Sequence, residues 1–445
     1  MTGHRRGGLI WHRNFRLLWT GETISGAGTA MAAAGVPLLA VTALHASTFA
    51  VAAVTAAAYL PWLVVGLPAG AWVDRLPARP LMIICDVVAA LLYASLPAAA
   101  WAGMLSTGVV LAVATAAGTA NVVFATAYQV LLPSLVTAGE LVEGNAKLEG
   151  GAAAAAIGGR SAAGLAAEAV GAAAALLFNA ASFLVSAACL LAIRTSPAAH
   201  RPAGRATTVR AEIAQGLRLI ARDPYLRPLT LYAAAGNFAY AGGTALLVVF
   251  LVRTAGFGAA ATGLLLGAGS VGGVLAAVIT RRLARWLGTA RTLLLSALAG
   301  GLFSLLIPLA AAGPRAAFYL AGSAVASGGI AAGNIIAGSF RQAYCPAALL
   351  GRITATMRLP VFGVIPFGAL LAGSLATAVG TRDALWIILA SYALSGTLLL
   401  TPALLSDRNL PGSPGPGAGI LRVAPPGART MVPAGESGTR SSLAN

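Results

Sequence analysis

Charge is what this 445-residue sequence has least of: 9% of its residues are Asp, Glu, Lys or Arg, against roughly 25% in soluble domains. A core in water cannot absorb a chain that is 58% hydrophobic with a mean hydropathy of +0.84, so the solvent must be lipid. Acidic residues are scarcest, 12 against 29 basic ones, for a formal net charge of +17. The basic residues lie in the gaps between apolar runs and form no patch with interleaved aromatics. That excludes a nucleic-acid partner and fits the basic-loop bias of membrane proteins. Lysine is almost missing, Lys147 being the single one. The three cysteines, Cys85, Cys189 and Cys345, fall in or beside separate apolar runs, a spacing that suits neither zinc nor a disulfide framework. The four histidines (His4, His12, His45, His200) sit at termini and in loops and make no metal site. No G-x-x-x-x-G-K-[ST] loop occurs, which argues against ATP-driven pumping by this chain alone. No catalytic triad or paired-carboxylate site occurs either, so neither an enzyme nor a cofactor is expected.

What the sequence does have is apolar runs. Twelve approach the ~20 residues that span a bilayer: 16–43, 49–72, 81–101, 107–132, 150–170, 173–193, 229–252, 258–280, 291–311, 316–340, 353–379 and 384–405. The stretch 150–193 is almost unbroken but too long for one helix, and is divided near Gly171. The first run is too long for a signal-peptide core, so it is expected to stay as an anchor. The fold class this implies is an all-α integral membrane protein, with twelve transmembrane helices in two six-helix bundles.

Basic residues orient the chain. With residues 1–15 inside, Arg75 and Arg79, Lys147, the linker 194–228, Arg281, Arg282, Arg285, Arg341, Arg352 and the tail 406–445 all fall on the cytoplasmic side. Only Arg253, Arg315 and Arg382 fall outside, so both termini are expected in the cytoplasm of a multi-pass protein of the plasma or inner membrane. Within the linker, Ala211 to Arg222 has helical spacing, with Ile213, Leu217 and Ile220 on one side and Arg218 and Arg222 on another: a surface helix between bundles 16–193 and 229–405. The tail, rich in Pro, Gly and Ser, is expected to be disordered. The halves echo each other: Asn14-Phe15-Arg16-Leu17-Leu18 opens one and Tyr225-Leu226-Arg227-Pro228-Leu229 the other. Six-span repeats are a transporter plan, with the substrate site between the halves.

Charges inside or between spans carry the functional readings. The break Gly70-Ala71-Trp72-Val73-Asp74-Arg75-Leu76-Pro77-Ala78-Arg79 is a tight turn at one membrane face. Its charges can staple helix ends and so gate the molecule, or only tighten two helices. Ionisable residues inside spans cost about 2.5–3.5 kcal/mol or more, so each is a candidate for function. These are Glu22 in the first span, Asp86 in the third, and Arg160 and Glu168 in the fifth. Against these stand blander roles: a static ion pair, an interfacial Glu168, an Asp86 that supports the turn.

The turn resembles the loop between helices two and three of the major facilitator superfamily, roughly G-x-x-x-D-R-x-G-R-R. Gly70, Asp74, Arg75 and Arg79 fit; Pro77 and Ala78 depart. Asn14-Phe15-Arg16-Leu17-Leu18-Trp19, Leu131-Leu132-Pro133-Ser134-Leu135-Val136 with Glu140-Leu141 and Asn145, and Gly216-Leu217-Arg218 with Arg222-Asp223-Pro224 resemble its drug and siderophore exporter branch, which contains the enterobactin exporter. Ala114 stands where drug–proton antiporters often carry Arg, and Arg160 where a Pro is usual. The resemblance implies a monomeric secondary exporter of a small hydrophobic or amphipathic molecule, antibiotic- or siderophore-like, working by alternating access against protons. It implies an Asp74 contact with helix eleven, and neighbouring first and fifth helices in which Glu22 and Arg160 pair. It also implies a cavity lined by Asn121, Gln129, Asn237, Tyr240 and Asn334, though each can instead bond between helices. The alternatives are an importer or facilitator of a small solute, or a non-transporting receptor or assembly partner.

Overall fold

The computed structural model describes residues 9–66, 69, 72–73, 76–136, 140–194 and 209–413. Gly70, Asp74 and Arg75 lie outside the described residues, as do most of the tail and the first part of the linker. The first half consists of α1 (Arg13–Thr42), α2 (Thr48–Val64), α3 (Ala78–Trp101), α4 (Thr107–Leu135), α5 (Leu141–Val170) and α6 (Ala172–Ala192). After α7 (Val209–Arg222) come α8 (Leu226–Val249), α9 (Ala259–Gly269), α10 (Val271–Leu287), α11 (Thr289–Ser304), α12 (Ala316–Tyr344), α13 (Ala347–Gly363), α14 (Ile365–Val379) and α15 (Thr381–Ser395). These follow the expected spans in order, with α9/α10 and α13/α14 each a single broken span.

Among the described residues nine helices, counted across such breaks, are long and apolar enough to cross a membrane, and α2 is a shorter apolar one. Two of the twelve expected spans fall outside that set for visible reasons. Helix α5 carries Glu143, Lys147, Glu149, Arg160 and Glu168. Helix α15 has only 15 residues before a 3₁₀ turn at Gly396–Leu399. The expected span 353–379 breaks at Val364, where Pro366 opens the next helix without an N–H to continue the last one. Sequential helices turn back sharply at Gly171, Gly288 and Gly380, whose φ of 87°, 90° and 91° lie in the region that suits glycine. The division near Gly171 is where the chain turns.

Helix starts are fixed by small polar caps: Ala50 N donates to Ser47 Oγ at 3.2 Å and Val109 N to Ser106 Oγ at 3.3 Å. The start of α8 is held more firmly. Asp223, fully buried, accepts from Tyr225 N at 3.0 Å and Leu226 N at 2.9 Å with Oδ1, while Tyr344 Oη donates to Oδ2 at 2.9 Å. Tyr225, Phe340 and Tyr344 stack around this carboxylate. Burial first, then the Asp223 charge, pushes the Cys345 thiol up to about 11 from its ordinary value of 9.0. The thiolate fraction at pH 8 is then lower by about a hundredfold. Alkylation of Cys345 by iodoacetamide, followed by mass spectrometry, is expected to be slower than that of an exposed cysteine by a similar factor.

Helix α7 forms as the spacing predicts, but its buried side is rotated. Leu219 and Ile220 are buried and Leu217 is 40% exposed, because Gly216 sits against the Thr356 side chain of α13. The end of the bundle where α1 begins, the basic end, is laced by side chain to backbone bonds. Asn14 Nδ2 donates to Arg194 O at 2.8 Å and Asn14 Oδ1 accepts from Arg194 N at 3.3 Å. After α15, the segment 408–410 crosses the α10–α11 turn: Arg408 Nη2 donates to Trp286 O, Thr289 N to Asn409 Oδ1 at 3.1 Å, and Leu410 N to Thr289 Oγ1 at 2.8 Å.

Candidate functional site

Helices α1, α3, α4, α5 and α6 pack among themselves, with α2 on α4; α8, α14 and α15 pack together, as do α10, α11 and α12. The two halves meet along two seams, α5 on α9 and α2 on α14. Small residues make the first seam possible. A Cβ on Gly164 would strike Ala259 O and come within 2.7 Å of Gly263 Cα; one on Gly267 would strike Ser161 Oγ. On the second seam a Cβ on Gly373 would lie 2.6 Å from that of Ala52. Two charged side chains finish the closure at the end far from the N-terminus. Glu168 Oε2 accepts from Ala260 N at 3.0 Å, at the start of α9, where a helix N-terminus favours an anion. Arg253 Nη2 donates to Val41 O at 3.3 Å, at the C-terminus of α1, where a cation is favoured.

Between the halves lies a cavity of about 1030 Å³ lined by residues of both. Gln129, Asn145 and Glu149 face it from the basic end and are exposed. Its floor is the α5–α9 seam, so it is closed at the far end and open at the basic end.

Glu22, Asp86, Arg160, Asn121, Gln129 and Tyr240 line this cavity. Three other expected residues do not. Asn237 Nδ2 donates to Val361 O at 3.0 Å, bonding α8 to α13. Asn334 is exposed away from the cavity. Glu168 serves the far-end seam. Arg79 turns inward within its own half, its Nε on Leu190 O and Nη2 on Leu191 O, both at 2.7 Å, so it caps the last turn of α6.

Glu22 and Arg160 do not pair. The ion pair found among the described residues is Lys147–Glu143 at 3.3 Å, on the surface of α5. Arg160 instead reaches across the seam, its Nη1 donating to Ser270 Oγ at 2.6 Å where α9 breaks into α10. Glu22 faces Asp86 of α3, close enough for the two charges to interact. Asp86 is 2% exposed, with Ser186 of α6 beside it. Glu22 Oε1 and Asp86 Oδ2 are buried with no hydrogen-bond partner among the described residues. The reason for the missed pairing is register. A Cβ on Gly159 would meet Ala27 O and the Ala30 Cβ, which places Arg160 well beyond Glu22 along the bundle.

Sequence reasoning also missed the aromatic wall. Tyr59, Tyr128, Tyr319 and Tyr392 line the cavity with Trp62 and Phe362, which stack across the α2–α13 contact at 5.3 Å between centroids. Arg358 of α13 adds a second cation. The tyrosines lie in separate spans, so no local pattern joins them.

A lipid-embedded helical bundle in two halves, sealed at one end around a solute-sized cavity with unpaired charges in its wall, is built as a membrane transporter. A family model of the Major Facilitator Superfamily matches residues 18–364, and the chain belongs to that superfamily. Its fold superposes on the crystal structure of nucleoside transporter NupG with a TM-score of 0.71 and 13% identity, over 88% of this chain and 99% of that one. A bacterial homologue of iron transporter ferroportin in the inward-facing state gives 0.65 and 18%, over 88% and 99%. A bacterial homologue of the human lysosomal transporter Spinster, inward-facing and unoccupied, gives 0.65 and 13%, over 89% and 100%. At such identities the likeness is one of fold. No curated protein matches the sequence.

Proposed function

We propose that the chain is a secondary exporter. It takes a small amphipathic compound from the basic-end side into the cavity and releases it at the far end when bundles 16–193 and 229–405, joined by linker 194–228, rock about the site. The observation that carries this is the cavity itself, open at one end and shut at the other by contacts between the halves that a rocking motion can break. The bias of basic residues favours a cytoplasmic open end and cytoplasmic termini, including the tail 406–445, in the cell membrane, and the protein is taken to act as a monomer. The stretches that resemble drug and siderophore exporters favour outward movement; an importer or facilitator would use the same cavity in reverse. Asp74 and Arg75, with Gly70, are proposed to close the basic end in the opposite state, with Arg79 holding the turn to α6.

Proton coupling is assigned to Glu22, which faces Asp86 and Tyr128 in a cavity whose cations, Arg160 and Arg358, do not pair with it among the described residues. A carboxylate oxygen buried without a donor is costly, and a proton taken from one side and given to the other relieves that cost in each cycle. Efflux of labelled antibiotics and siderophore-like compounds from expressing cells is expected to fall to the empty-cell level with a proton uncoupler. Glu22→Gln and Arg160→Ala, at equal expression, are expected to lower it at least tenfold. Equal accumulation in expressing and empty cells for every compound overturns the exporter reading. Parent-like transport by both variants removes these residues from the mechanism.

A further inference from the structure

The cavity holds charges of both signs that no partner among the described residues of the wall neutralises. At one level stand Glu22 and, behind it, Asp86, 2% exposed with Oδ2 unsatisfied. At another stands Arg160, whose partner is one neutral hydroxyl, that of Ser270, and whose other N–H groups remain for a ligand. Protein charges taken out of water are normally paired; here they are held apart on α1, α3 and α5. The packing of Gly159 against Ala27 and Ala30 puts the backbone of Arg160 six to nine residues further along than that of Glu22, roughly 10 Å at the rise of an α-helix. Rings line both levels: Tyr128 lies near Glu22, and Tyr59 and Tyr319 lie near Arg160, all of them in the cavity wall.

We infer that the cargo is an extended zwitterion, with an ammonium group on Glu22 under the field of Asp86, an anionic head on Arg160 beside Ser270, and an apolar or aromatic body between them. Each part answers a separate feature. The carboxylates need a cation that the wall does not supply. The guanidinium offers a planar fork of donors that matches a carboxylate or phosphate. The tyrosines cover the body and give cation–π support to the ammonium. A singly charged amphipath leaves one end of the site uncompensated, and a compact amino acid cannot reach both.

This deepens the transporter reading and rests on it, but its test uses binding alone. The full-length chain in lipid nanodiscs is titrated calorimetrically with 8-aminooctanoate, octylammonium, octanoate and 4-aminobutanoate, with empty nanodiscs as the blank. 8-Aminooctanoate is expected to bind at least tenfold more tightly than each of the others. Glu22→Gln is expected to bring it level with octanoate, and Arg160→Gln level with octylammonium. Octylammonium or octanoate binding as well as 8-aminooctanoate to the parent overturns the proposal in favour of a site for one sign of charge. Equal binding of 4-aminobutanoate removes the length requirement, and absence of binding by all four removes the class. A chain that shows the expected preference but moves none of these compounds in proteoliposomes fails as a transporter while keeping its ligand class.

Discussion

Gly164→Val is expected to abolish transport while leaving the chain folded and inserted. The α5–α9 seam closes only because no side chain stands at Gly164 or Gly263: a Cβ at Gly164 meets the Ala259 carbonyl and lies 2.7 Å from Gly263 Cα. Both obstacles are backbone, so no rotamer change relieves the clash and the helices must separate. Overpacking of this kind costs about 1–3 kcal/mol, and every 1.4 kcal/mol is about tenfold in an equilibrium. The far-end-closed state therefore loses about one to two decades of population. A matched control lies on the same helix: Gly158 has nothing within 4 Å of its Cβ position, so Gly158→Val keeps its transport. The state itself is read with Ser323→Cys, a cavity position, and an impermeant thiol reagent added from the far-end side. Labelling rises with Gly164→Val and not with Gly158→Val. Equal behaviour of the two variants refutes the seam as the closing surface.

The second large effect is on stability. Asp223→Ala is expected to lower the unfolding free energy by about 3 kcal/mol, since hydrogen bonds to a charged group contribute about 1.5–3 kcal/mol each and three bonds on one carboxylate do not add fully. The substitution leaves Tyr344 Oη buried without an acceptor and two N–H groups at the start of α8 uncapped. Asp223→Asn keeps one oxygen for those N–H groups and is expected to lose about 1 kcal/mol. Denaturation in detergent, followed by far-ultraviolet circular dichroism, orders the three chains. An Ala variant as stable as the Asn variant places the strength of this corner in the Tyr225, Phe340 and Tyr344 stack instead.

The membrane fold was legible because hydropathy and loop charge are local quantities: a window of residues carries them, whatever packs against it. Hence the turn at Gly171 is legible in the unbroken apolar stretch around it. Helical spacing also reveals the helix that ends at Arg222, which starts at Val209 rather than Ala211. Its inward face is not legible, because that depends on which residue of α13 Gly216 can approach. The site was legible in part for a similar reason. Cost alone marks an ionisable residue in a span, and it marked Glu22, Asp86 and Arg160, which do line the cavity. Their partners depend on helix register. Register separated Glu22 from Arg160, gave Arg160 to Ser270 across the seam, and took Asn237 out of the cavity onto Val361 O. Glu168 and Arg253 likewise show no sign in sequence of reaching helix ends in the opposite half.

The strand of chain that crosses the α10–α11 turn has a consequence for handling the protein. Arg408, Asn409 and Leu410 hold backbone groups of that turn, and the Arg408 carbonyl fills the space beside Gly288. A shortened version ending after Ser413 keeps every one of these bonds and is a suitable place for a fusion tag. One ending at Asp407 strips the turn of its cover.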